Sequence, residues 1–118
     1  TRMSQTLFLV ALGGAIGSVL RYLMVAAVGS PFGTLAVNAL GSFAIGILFA
    51  GLGAREGWQL FLMTGVLGGF TTFSAFSLDT LKLVQSGQTV QAAAYVLASV
   101  SLSLIAVALG ATLAKGIS

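Results

Sequence analysis

The chain has 118 residues, 58% of them hydrophobic and 6% charged, with five Lys or Arg, two Asp or Glu, sixteen Gly and neither Cys nor His. Soluble domains carry about 25% charged residues, so this composition excludes a soluble globular fold, and it also excludes a disulfide scaffold and a Cys/His metal site. Glu56 and Asp79 are the only carboxylates, which leaves almost no room for acid/base enzyme chemistry, and five scattered cations form no basic stripe that would bind nucleic acid.

Charged positions divide the chain into the uncharged stretches Met3 to Leu20, Tyr22 to Ala54, Gly57 to Leu78 and Leu83 to Ala114. Each can hold a membrane span of about 20 residues. The second is longer than one span needs, and Gly29-Ser30-Pro31-Phe32-Gly33 supplies the turn chemistry that divides it. The sequence therefore predicts an all-α membrane protein, a single four-helix transmembrane domain over residues 1–118. Its helices run from about Leu7 to Val28, Gly33 to Gly53, Trp58 to Gln85 and Thr89 to Ala114. Short links make an antiparallel up-down bundle. The first apolar stretch runs to full span length and lacks a basic leader, so it reads as a transmembrane helix and not as a cleaved signal peptide.

On helix 1, Gly13 and Gly17 and also Gly14 and Ser18 recur at the spacing that lets helices approach closely in lipid; Ser42 and Gly46 do so on helix 2. Asn38 falls mid-span on helix 2. Helix 3 carries Gly68-Gly69-Phe70-Thr71-Thr72-Phe73-Ser74-Ala75-Phe76-Ser77, a Gly pair and a cluster of hydroxyls near the bilayer centre, and a break is expected there. Freed backbone groups at that depth must face protein, water or an ion; the competing reading is an intact helix whose hydroxyls bond back to the preceding turn. On helix 4, Tyr95, Ser99 and Ser103 repeat at i, i+4 and i+8 and share one face. That stripe either bonds across helices or lines a water-filled path.

Orientation follows Lys and Arg near the span ends. With four spans, Arg2, Arg55 and Lys115 share one side and Arg21 and Lys82 the other. So even a balance predicts dual topology, in which two copies of opposite orientation pair about an axis in the membrane plane.

In order and spacing, Gly13-Gly14-Ala15-Ile16-Gly17-Ser18-Val19-Leu20-Arg21-Tyr22, Gly33-Thr34-Leu35-Ala36-Val37-Asn38 and the Gly68 to Ser77 motif resemble the four-span Fluc (CrcB-type) fluoride channels of microbes. The resemblance covers essentially the whole chain. It implies an antiparallel, dual-topology homodimer in the bacterial plasma (inner) membrane, with two separate fluoride pores built from both subunits, giving passive fluoride export. On that pattern Asn38 looks like the pore amide donor, Phe73 and Phe76 like the rings whose edges meet the anion, and Tyr95, Ser99 and Ser103 like the polar track. Arg21 resembles a vestibule arginine. The resemblance further implies a structural Na+ at the dimer axis, held by the backbone carbonyls of Gly68 and Thr71. Two positions depart from the pattern: Ala75 stands where a threonine is frequent, and Asp79 where a glutamate is frequent. The competing classes are a small multidrug transporter, which needs a carboxylate in the first span that this chain lacks, and a non-transporting membrane scaffold.

Overall fold

A computed structural model describes residues 2–117, with side chains through residue 116. The first two helices are α1 (Arg2–Val28) and α2 (Phe32–Leu52). The third span is composite: α3 (Glu56–Trp58), a π-helical stretch (Gln59–Leu67) and α4 (Gly68–Phe70) run into one another, and α5 (Phe73–Gln85) follows a break. The chain closes with α6 (Thr89–Ile117). Four helices, the third span counted as one, are long and apolar enough to cross a membrane.

The turns between spans use Gly29, Gly53 and Gly87, all at positive φ (89°, 59° and 83°), the left-handed conformation that glycine adopts without a Cβ penalty. At the first, the Gly29 N–H closes the end of α1 on the Val25 carbonyl at 2.7 Å. α1 starts at Arg2, more than a turn before Leu7. The Thr6 hydroxyl bonds back to the Arg2 carbonyl at 3.0 Å, and Arg2 Nη2 makes an exposed pair with Glu56 Oε2 at 3.1 Å, between the starts of the first and third spans.

Packing is not chiefly between chain neighbours. α1 lies against the π-helical stretch and α4, while α2 lies along α6. Small residues explain both pairs. A Cβ on Gly13 would stand 2.8 Å from the Val66 nitrogen and 2.9 Å from the Gly65 Cα, and one on Gly17 would collide with the Val66 carbonyl. Gly46 meets the Val107 carbonyl and Gly110 the Phe43 carbonyl with equally little space. Lipid gives helices no hydrophobic drive to associate, so backbone-to-backbone approach through glycine supplies the dispersion contact instead. α2 is the central helix, with Thr34 and Val37 fully buried.

The third span is bent at Thr71 (φ −86°, ψ 158°) and Thr72 (φ −154°, ψ 121°), two extended residues between helical halves. The expected break is there, and the hydroxyls divide between the two readings of that motif. Thr71 and Ser77 bond back to the carbonyls of Leu67 and Phe73, at 2.9 and 3.0 Å. Thr72 does not: its Oγ1 accepts the Ala75 N–H at 3.1 Å and caps α5.

Candidate functional site

Breaking a helix inside a membrane strands backbone groups, and several of them find partners in side chains. The Thr72 N–H, which in a continuous helix would bond the Gly68 carbonyl, donates to Asn38 Oδ1 at 2.7 Å. Asn38 Nδ2 in turn donates to the Thr72 carbonyl at 2.9 Å. One amide side chain on α2 thus satisfies both backbone groups of the most extended residue. Arg21 Nε on α1 donates to the Gly69 carbonyl at 3.0 Å. The Ala75 N–H is taken by the Thr72 hydroxyl, so the Thr71 carbonyl, like that of Gly68, loses the i+4 donor that an unbroken helix would provide. Among the described residues there is no group of three or more His, Cys, Asp or Glu that could hold a metal.

Beside the break lies a cavity of about 450 Å³, open on one side. Asn38, Gly68, Thr71, Phe73, Phe76 and Ser99 line it, and Ser103 does so one helical turn beyond Ser99. No lining residue carries a formal charge. Six residues singled out from three spans on sequence grounds, together with Ser103, therefore share one space. Phe76 is 8% exposed and Phe73 77% exposed, yet their ring centroids are 5.4 Å apart with planes tilted by 60°, so one ring forms the cavity floor and the other its outer lip.

Tyr95 stands behind the floor. Its ring centroid is 5.3 Å from that of Phe76, and its hydroxyl donates to Asp79 Oδ2 at 3.2 Å. Both residues are buried, so Asp79 is an interior partner of the polar stripe and not a group at an exposed mouth. Ser99 Oγ is buried with no hydrogen-bond partner among the described residues. A hydroxyl in that state has a donor to give to whatever enters the cavity. Arg21 is not among the lining residues; it holds the far side of the break through Gly69.

Residues 8–111 match the family model described as "CrcB-like protein, Camphor Resistance (CrcB)". The chain belongs to the CrcB family. It is 50% identical over 119 residues to the "Fluoride-specific ion channel FluC" of Rhizobium meliloti (strain 1021), covering 92% of this chain and 95% of that protein. To the protein of the same name from Paracoccus denitrificans (strain Pd 1222) it is 50% identical over 122 residues, with 98% of each chain covered. To that of Rhizobium etli (strain CIAT 652) it is 54% identical over 114 residues, covering 87% of this chain and 90% of the other. With its four long apolar helices, this CrcB chain is a multi-pass membrane protein.

Sequence reasoning passed over two parts of this CrcB site. Thr72 is the hinge of the arrangement, as α5 cap and as partner to Asn38 on both its N–H and its carbonyl. The available signal was a Thr followed three residues later by the first free N–H of a resuming helix, the ordinary N-cap spacing. The Tyr95 to Asp79 bond joins residues on two different spans, and no periodicity within either span announces it.

Proposed function

We propose that this chain is the subunit of a fluoride-selective ion channel, not an enzyme, that lets fluoride leave the cell passively across the bacterial plasma (inner) membrane. The observation that carries the reading is the uncharged, donor-lined cavity at the helix break, taken together with extended identity to proteins named fluoride-specific ion channels. Fluoride is small and strongly hydrated, so a path for it must replace water with hydrogen-bond donors. Asn38 uses one Nδ2 hydrogen on Thr72 and keeps a second. Ser99 brings an uncommitted hydroxyl, and Ser103 another from the same face of α6. Phe73 and Phe76 contribute the positive edges of their rings. None of these is a full charge, and several weak sites in series let the anion leave as readily as it enters, whereas a Lys or Arg in the cavity would hold it. Asp79, turned to Tyr95, is not part of the cavity wall.

The functional unit in this reading is an antiparallel homodimer with two pores. A cavity open on one side, with Phe73 standing 77% exposed at its lip, calls for a second surface to close it. The even split of cations between the two ends favours opposite insertion of two copies, and the Arg2 to Glu56 pair is consistent with Arg2 and Arg55 at one end. The carbonyls of Gly68 and Thr71, deprived of regular donors, form the oxygen-only chemistry that suits a hard alkali cation such as Na+. Na+ bound there from both subunits would supply fixed positive charge between the two broken helices. Arg21 in this scheme keeps Gly69 out of that set by occupying its carbonyl, and would face a vestibule on that side of the break.

The test is fluoride efflux from liposomes, followed by a fluoride electrode. Fluoride should leave down its gradient while chloride is retained by a wide margin. A trace indistinguishable from protein-free liposomes, with the dimer intact, removes the channel reading.

A further inference from the structure

A second groove lies away from the fluoride cavity and shares no residue with it. Leu9 and Leu12 of α1 and Gly57, Trp58 and Phe61 of the third span enclose about 300 Å³. The lining is apolar apart from the Trp58 indole N–H and backbone. At Gly57 an added Cβ would meet nothing within 4 Å, so the groove stays open where a side chain would otherwise fill it. Trp58, half exposed, meets Phe61 edge to face at 6.3 Å and 72°, which fixes one wall. Tryptophan in the first turn of a span marks the level of the lipid headgroups, and Arg55 and Glu56, separated from it only by Gly57, belong to the same layer.

Charge at this end is unequal in a particular way. Glu56 is committed to Arg2 at 3.1 Å, while Arg55 has neither an ion pair nor a side-chain hydrogen bond among the described residues. The neighbouring carboxylate is therefore already matched, and Arg55, two residues before Gly57 of the groove wall, brings an unmatched guanidinium to this end. A guanidinium takes a phosphate through two parallel N–H bonds. We propose that this groove is a phospholipid site: one acyl chain lies against Leu9, Leu12 and Phe61, Trp58 sits at the glycerol level, and Arg55 holds an anionic headgroup phosphate. The complementarity is to a phosphatidylglycerol-like lipid and not to a zwitterionic one, whose own ammonium compensates its phosphate and is repelled by the free guanidinium.

Trp58 is the one tryptophan of the chain, so its fluorescence reports this groove alone. The full-length protein is reconstituted in phosphatidylcholine vesicles carrying increasing fractions of phospholipid brominated in its acyl chains, either phosphatidylglycerol or phosphatidylcholine. Half-maximal quenching should need about fivefold less brominated phosphatidylglycerol than brominated phosphatidylcholine, the size expected for one Arg at a membrane surface. In Arg55→Gln the ratio should fall to about one. Gly57→Leu, which fills the groove, should raise the fraction needed of both lipids. Equal quenching by the two lipids in the unaltered protein, or a phosphatidylglycerol preference that persists in Arg55→Gln, overturns the assignment. Fluoride efflux retained in both variants shows that they are folded and keeps this outcome separate from that of the channel reading.

Discussion

Asn38→Leu removes both hydrogen bonds between α2 and the break and adds no charge, whereas Asn38→Asp keeps the acceptor for the Thr72 N–H and loses the donor to the Thr72 carbonyl. A protein hydrogen bond contributes about 1 kcal/mol net, and pairs within membrane proteins average nearer ~0.6 kcal/mol. The two bonds together, at 2.7 and 2.9 Å, therefore hold the extended segment by about 1 to 2 kcal/mol. Amide exchange in peptides spanning Leu67 to Ala75 should quicken by roughly 5- to 30-fold in Asn38→Leu, and less in Asn38→Asp. Flux should rank the two the other way. A carboxylate about 5 Å from the permeating anion, at an effective dielectric of about 20, repels it by about 3 kcal/mol, or roughly 200-fold in occupancy. Leucine takes away only one donor among several. Exchange by mass spectrometry and efflux by fluoride electrode read the two effects separately. Unchanged exchange in Asn38→Leu would refute the clamp, and an Asp variant as active as the Leu variant would refute the uncharged-cavity argument.

Phe76→Ile keeps an apolar side chain and removes the ring edge, so fluoride efflux should fall steeply while the dimer persists on size exclusion; Phe76→Tyr should be milder. Should Ile at both Phe73 and Phe76 leave efflux unchanged, the anion is carried by Asn38 and the α6 hydroxyls alone. Two or three added Lys at one end should fix a single orientation and abolish efflux, and a partner biased the other way should restore it; full activity from a singly oriented population would contradict the antiparallel dimer. Replacing Na+ by a large organic cation should weaken the dimer in detergent, measured as a lower thermal midpoint, and no shift over a wide Na+ range would count against the carbonyl site. Gly17→Ala drives a Cβ into the Val66 carbonyl and should cost about 1–3 kcal/mol by overpacking. By contrast Gly51→Ala, with nothing within 4 Å, should stabilise α2 by roughly 0.5–1 kcal/mol, and equal midpoints for the two would argue against the tight α1 contact.

Charge spacing made the spans legible, because a bilayer tolerates so few charges that long uncharged stretches stand out; the two charged residues inside spans, Arg21 and Asp79, are bonded there to the Gly69 carbonyl and to Tyr95. The break was legible for a related reason: paired glycines and clustered hydroxyls at mid-membrane have few other uses. The π-helical stretch from Gln59 to Leu67 was not. Hydrophobic periodicity distinguishes helix types only where polar residues mark one face, and this stretch has Thr64 as its one polar residue beyond Gln59. The candidate cavity residues were named one by one from their chemistry and from resemblance, and their meeting in one space depends on the bend that sets Phe76 against Tyr95 of α6 and leaves Phe73 at the lip. Thr72 was passed over because its role is read from backbone dihedrals, and those follow from where Asn38 stands on another helix.

The pairing of α1 with the third span, and of α2 with α6, has a consequence for how the protein is made. Neither intimate pair joins neighbours in the chain, so after the first two spans enter the bilayer each still lacks its main partner, and the glycine seams on both remain filled by lipid. α2, the central helix, meets the carbonyl of Val107 and the glycine at 110 only when the final helix arrives. A nascent chain that ends at Gln85 would therefore hold every residue of the break and yet lack the helix along which the central one packs. Close packing of the central helix waits on the last span to leave the ribosome.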